Sequence, residues 1–210
     1  DLETMRRSVP LHFSDCGYGI PAVKLAFHRT LYEWIPYFKE DTRAWDVSQP
    51  ASRRERFDNQ IDSYSYHCGM APMLFATLDI RRDDYDFALA RRLIDMWRRA
   101  SDLILHGDYY PFTPFHRSAE DWVVWQFDRP EAGCGLVQAI RLSASPEQSV
   151  TIRPKGIHPG SMYSLENAET GETRMISGAD LIDDGFTFVL EKRSGAIWFY
   201  RRPDPVSQRQ

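Results

Sequence analysis

The chain has 210 residues with 26 Lys and Arg against 30 Asp and Glu, a formal charge of -4 at pH 7; that balance excludes a sequence-independent nucleic-acid binder, which needs a basic face for phosphates. Apolar residues make up 42%, enough for a packed core, and no run approaches the roughly 18–20 uninterrupted apolar residues of a membrane-spanning helix, so neither nucleic acid nor membrane is an expected partner. Cys16, Cys68 and Cys134 are far apart and in no Cys-x-x-Cys or Cys/His metal spacing, which argues against a disulfide framework and a metal cage.

The first half, to about His106, alternates short apolar runs with helical patterns, the signature of βα units. Ser8 to Phe13 is a strand candidate running into Ser14-Asp15-Cys16-Gly17, a turn. From Ala22 to about Tyr32 the residues Val23, Leu25, Ala26, Phe27, Thr30 and Leu31 recur at helical spacing, predicting one buried helix face. Glu33 to Phe38 is a second short strand, and the polar stretch from Lys39 to Ser63, with the basic run Arg53 to Arg56, is a long solvated loop. Tyr64 to Ala71 is a third apolar run. From Tyr85 to Leu105, Phe87, Ala90, Leu93, Ile94, Trp97, Ala100 and Ile104 mark a long amphipathic helix, with Asp83, Asp84 and Asp86 at its positive end.

After Gly107 the period changes from helical to alternating. Strands are predicted at Val123–Phe127, Leu136–Leu142, Val150–Ile152, Met162–Leu165, Thr173–Ile176, Phe186–Leu190 and Ile197–Phe199, with a hairpin-like turn at Glu169-Thr170-Gly171-Glu172. Short strands so spaced predict an antiparallel β-sandwich. The expected organisation is therefore α/β over 1–106, all-β over 107–202, and a patternless tail over 203–210. Three parallel strands with two helices cannot cover their own sheet, so the first half reads as the last βα units of an incomplete TIM barrel. No secretory signal pattern is present and the chain begins with Asp1; the start is read as internal to a longer chain, and a cytoplasmic location is the expectation.

Asp15 follows a predicted strand and precedes a Gly-containing loop, where a βα barrel carries its catalytic groups; a helix cap or turn residue is the other reading of such an Asp. The stretch Asp1-Leu2-Glu3-Thr4-Met5-Arg6-Arg7-Ser8-Val9-Pro10-Leu11, followed by Ser14-Asp15, resembles the segment of glycoside hydrolase family 36 α-galactosidases (melibiases) that carries the catalytic acid/base. Three further blocks resemble the same family in the same order. His67-Cys68-Gly69-Met70-Ala71-Pro72 and Asp84 to Arg99 are similar to its last barrel strand and helix. Gly107 to Pro114 is similar to the lead-in to its C-terminal domain, and Trp122 to Pro130 with Gly133-Cys134-Gly135 to the first hairpin of that domain.

The resemblance implies a retaining glycosidase acting on terminal α-galactosides without metal or organic cofactor, with Asp15 as acid/base. It places the nucleophile on an earlier barrel strand, in a Lys-x-Asp context not expected among these residues, so that the 210 residues alone would be inactive. The partner implied is a carbohydrate substrate, with a homo-oligomer as the form members of the family often take. Where many members have Trp-Arg before Ser-Asp, this chain has His12-Phe13, and Cys16-Gly17-Tyr18-Gly19 differ as well, which leaves room for another α-glycoside such as an α-N-acetylgalactosaminide. A non-catalytic carbohydrate-binding or scaffold protein of the same fold is the alternative from another class.

Ser14, Cys16 and His12 are the expected pocket neighbours. His67 and Cys68 fit either the same pocket or a buried, hydrogen-bonded pair. Trp34 and Tyr37 fit either a platform for a sugar face or core packing. Trp122, Trp125, Trp198, Phe199 and Tyr200 are read as core, and Asp183-Asp184 as a turn.

Overall fold

The computed structural model describes residues 11–12, 20–42, 62–75, 80–81, 83–114 and 118–203. Three short strands, β1 (Leu11–His12), β2 (Phe38–Asp41) and β3 (Met73–Phe75), lie side by side in that order. They are parallel, with His12 opposite Lys39 and Lys39 opposite Met73. Helix α1 (Pro21–Trp34) links β1 to β2, and α2 (Ser63–Gly69) precedes β3. Helix α1 starts on Pro21, whose missing N–H costs nothing at a first helical position. The long α3 (Phe87–His106) is capped by Asp86, whose carboxylate accepts from Leu89 N at 2.8 Å. One face of α3, from Ala90 through Leu93, Met96 and Ala100 to Ile104, is buried.

Two elements of this half differ from the sequence expectation. Glu33 and Trp34 are not strand but the last turn of α1, which closes with Ile35 N donating to Leu31 O at 2.7 Å; the strand comes later, on Phe38-Lys39-Glu40-Asp41. Its charged residues hid it, and they are tolerated there because other charges meet them. The run Tyr64 to Ala71 is likewise no strand at its start. Residues 63–69 form α2, with Tyr64 to Gly69 all buried, and an element buried all round shows no periodicity that separates helix from strand.

The second half is a six-stranded antiparallel sheet of β4 (Asp108–Pro111), β5 (Trp122–Arg129), β6 (Cys134–Arg141), β8 (Met162–Asn167), β9 (Thr173–Ser177) and β11 (Ser194–Arg201). Their spatial order is β4-β5-β6-β11-β8-β9. A separate antiparallel pair, β7 (Ser149–Ile152) and β10 (Phe186–Val189), joins the short helix α4 (Gly178–Asp183) in packing on one face. The alternation along each strand divides the core in two. Val124, Val137, Trp198 and Tyr200 face the β7–β10 layer. Trp125, Phe127, Leu136, Ile140, Ile197 and Phe199 face the other way, into a cluster with Leu25 and Tyr32 of α1, Tyr66 of α2 and Leu93 of α3.

The expected sandwich is thus a large sheet with a two-stranded second layer, whose opposite face is roofed by the helices of the first half. Helix α3 ends at His106 with β4 beginning at Asp108, and a single apolar cluster draws on both sides of that junction. No helix among the described residues is long and apolar enough to cross a membrane.

Candidate functional site

In a parallel βα arrangement the chemistry gathers at the C-terminal ends of the strands. Strand β1 ends on His12, so Ser14, Asp15 and Cys16 follow that end directly in the sequence; these three residues and the His12 side chain lie outside the described residues. The neighbouring strand ends on Asp41, and there the structure assembles a buried charge cluster that the sequence reading left inside a loop. Lys24, from the first turn of α1, donates from Nζ to the Asp41 carbonyl at 2.9 Å and to its Oδ1 at 3.0 Å. Glu40 Oε1 stands 3.7 Å from the same ammonium and accepts from Asp41 N at 2.9 Å. Glu40 Oε2 meets His28 Nε2 at 3.2 Å.

His28 lies wholly inside, 5.1 Å from the Phe38 ring and 6.2 Å from that of Tyr32, and burial pulls its pKa below the ordinary value although Glu40 pulls the other way. Gly69, at the end of α2, packs against the Asp41–Thr42 backbone so closely that any Cβ there would collide with the Asp41 carbonyl. The C-terminal end of β2 is therefore clamped from α1 and from α2.

One expectation is corrected here. The triplet Lys39-Glu40-Asp41 is itself a Lys-x-Asp sequence, on the strand adjacent to β1, although none was expected among these residues. The signal was legible in the three letters and was passed over because the segment read as loop. Asp41 is 7% exposed and ion-paired with Lys24, so its carboxylate acts as a fastening between strand and helix.

Trp34 and Tyr37 are not brought to that place. Trp34 sits at the far end of α1, exposed; fourteen helical residues put it about 21 Å along the helix from Pro21, at the opposite end of the parallel strands from Asp41. Tyr37, also exposed, precedes β2 at that same far end. His67 and Cys68 belong to α2, not to a strand end, and both are fully buried. His67 Nε2 meets Glu169 Oε1 at 2.8 Å, and Gln138 Nε2 donates to the His67 carbonyl at 3.1 Å. The sequence offered no sign of Glu169 as the partner, since it stands 102 positions away in the turn between β8 and β9. Among the described residues no group of three or more His, Cys, Asp or Glu is placed to hold a metal ion.

No family model matches the chain, and no curated protein matches it. Solved structures do. The galactosidase domain of the α-galactosidase–sucrose kinase AgaSK superposes with a TM-score of 0.61 at 18% identity, over 89% of this chain and 25% of that one. The family 36 α-galactosidase AgaB from Geobacillus stearothermophilus gives 0.61 at 16% identity, and the α-galactosidase from Lactobacillus brevis 0.64 at 13%, with the same coverage of 89% and 25%. The chain spans about a quarter of the length of the structures it matches. It shares with these glycoside hydrolases the mixed helical and mostly antiparallel fold of their C-terminal region.

Proposed function

We propose that this chain is the C-terminal portion of a retaining glycoside hydrolase that removes terminal α-linked galactose, with residues 1–106 forming the last βα units of the catalytic barrel and 107–202 the C-terminal β domain. In the first step the Asp15 carboxyl gives its proton to the glycosidic oxygen while a carboxylate from outside these residues bonds to the anomeric carbon and the leaving sugar departs. In the second, the Asp15 carboxylate takes a proton from the water that attacks the anomeric carbon, and galactose is released from the nucleophile. His12, Ser14 and Cys16 flank the proton donor. No metal or organic cofactor takes part, and the 210 residues alone are inactive for want of the nucleophile.

The observation that carries this reading is the likeness of 89% of the chain to α-galactosidases. Two things support it: the parallel β1-β2-β3 order, which is that of consecutive barrel strands, and the position of Ser14-Asp15 in the sequence just past the end of β1. One of the matching enzymes, a variant of AgaA from Geobacillus stearothermophilus, was solved with raffinose bound, which makes raffinose the natural first substrate to try. In the full-length protein, Asp15→Ala is expected to lower raffinose turnover by roughly 100- to 10,000-fold, the usual worth of a general acid/base, with an unchanged melting temperature. Unaltered turnover would remove Asp15 from the reaction.

A further inference from the structure

A cavity of about 430 Å³ opens between α3 and the turn joining β8 to β9, a size within the range of small-molecule pockets. Leu89, Leu93 and Met96 of α3, with Ala168, give it an apolar floor, and Ser63, Arg92, Asp95, Arg99, Glu169 and Thr170 give it a polar rim. The direction of every hydrogen bond leading to Glu169 can be derived. Trp125 Nε1 can only donate, so the Gln138 Oε1 it meets at 2.7 Å accepts. The Gln138 amide nitrogen therefore faces His67, donating to its carbonyl at 3.1 Å and to Nδ1 at 3.4 Å. With Nδ1 accepting, the neutral ring carries its proton on Nε2 and donates it to Glu169 Oε1 at 2.8 Å.

Ser63 Oγ donates to the same Glu169 oxygen at 2.6 Å. The His67 ring lies against Gly195, where a Cβ would come within 2.6 Å of the ring carbon Cγ. Glu169 is thus a carboxylate held on one oxygen by two donors, with no hydrogen bond to Oε2 from any of the described residues. Burial alone would raise its pKa, yet the hydrogen bonds from His67 and Ser63, with the Arg92 charge beside them, outweigh it and keep the group ionised.

Charge then decides the ligand class. Arg99 is taken by Glu166 in a two-pronged pair at 2.8 and 2.9 Å, Asp95 is paired with Arg98 at 3.2 Å, and Arg92 lies near Glu169. The rim is balanced, so neither an anion nor a cation gains a net Coulomb attraction, while both donors and acceptors border an apolar floor. We propose that this cavity is a carbohydrate-binding subsite in which Glu169 accepts hydrogen bonds from sugar hydroxyls, Arg92 and Thr170 complete the hydrogen bonds, and the α3 floor receives the C–H face. The choice of galactose as the sugar rests on the proposed function, whereas the geometry of the cavity does not.

The test is galactose titration of the full-length protein by ligand-observed NMR, with a crystal soaked in galactose to locate the sugar. Inorganic phosphate is the control ligand. Glu169→Gln keeps an oxygen for Ser63 and His67 but loses the charge, and Leu89→Trp fills the cavity without touching that network. The expected result is galactose in the cavity of the soaked crystal and an affinity there lowered about tenfold or more in both variants, at unchanged melting temperature, with no phosphate bound. A soaked crystal with the cavity empty, both variants binding there as wild type does, or phosphate in place of sugar overturns the proposal. A protein that loads the cavity yet hydrolyses no galactoside upsets the proposed reaction alone.

Discussion

Lys24 carries a charge to a position 1% exposed and meets two carboxylates there. The buried stripe of α1 is Lys24, His28 and Tyr32, four residues apart, together with Ala22, Leu25 and Ala26; the apolar pattern had assigned Val23, Phe27 and Leu31 to that face instead. The reason is physical: a residue scale treats Lys and His as solvent-facing, and only the carboxylates of Glu40 and Asp41, brought in by a later strand, make their burial tolerable. Removing the cation leaves two buried carboxylates without it. Lys24→Met is accordingly expected to destabilise the protein by about 3–5 kcal/mol, read from urea denaturation midpoints at constant slope. A loss below about 1 kcal/mol would mean that the cluster is solvated and contributes as little as a surface pair.

At the scale of elements, periodicity succeeded where one face is buried and failed where nearly every residue is, or where the buried residues are charged. Helix α3 has a sharply divided surface, and it was legible in the sequence to within two residues at each end. Helix α2, buried on every side, looked like a strand, and β2 looked like a loop because three of its four residues are charged. Helix α4 was also missed, although Ser177-Gly178-Ala179-Asp180 carries a capping signal: the Ser177 hydroxyl accepts from Asp180 N at 3.0 Å. The aspartates before α3 were read as a group favouring its dipole, whereas one of them, Asp86, does the capping. Asp86→Ala is expected to cost about 1 kcal/mol, whereas Asp83→Ala, which removes no cap, is expected to leave the unfolding midpoint nearly unchanged; equal effects would return the helix start to a diffuse electrostatic origin.

For the whole molecule, the division at residue 106 marks a change of secondary structure within a shared core. Tyr32 of α1 stacks edge-on against Trp125 and Phe127 of β5 at 5.4 and 4.9 Å, so the parallel strands and their helices sit on the sheet as on a base plate. The order of elements and the antiparallel character of the second half were legible from alternation and turn residues. The packing of one half on the other was not, because it depends on which faces of β5, β6 and β11 remain open once β7 and β10 have covered the reverse side. The candidate site was legible only as far as a strand-end Asp with a family resemblance, since the charge cluster at the end of β2 joins residues 12 to 17 positions apart, two on a helix and two on a strand that reads as loop. The most direct measurement of the proposed role compares two galactosides with the Asp15→Ala variant of the full-length protein: raffinose, whose leaving sugar needs a proton, and p-nitrophenyl α-galactoside, whose leaving group departs without one. The account predicts that release of the leaving group in the first turnover falls by roughly 100-fold or more for raffinose and stays within a few-fold of wild type for the aryl galactoside; equal losses on both, or no loss on either, would contradict it.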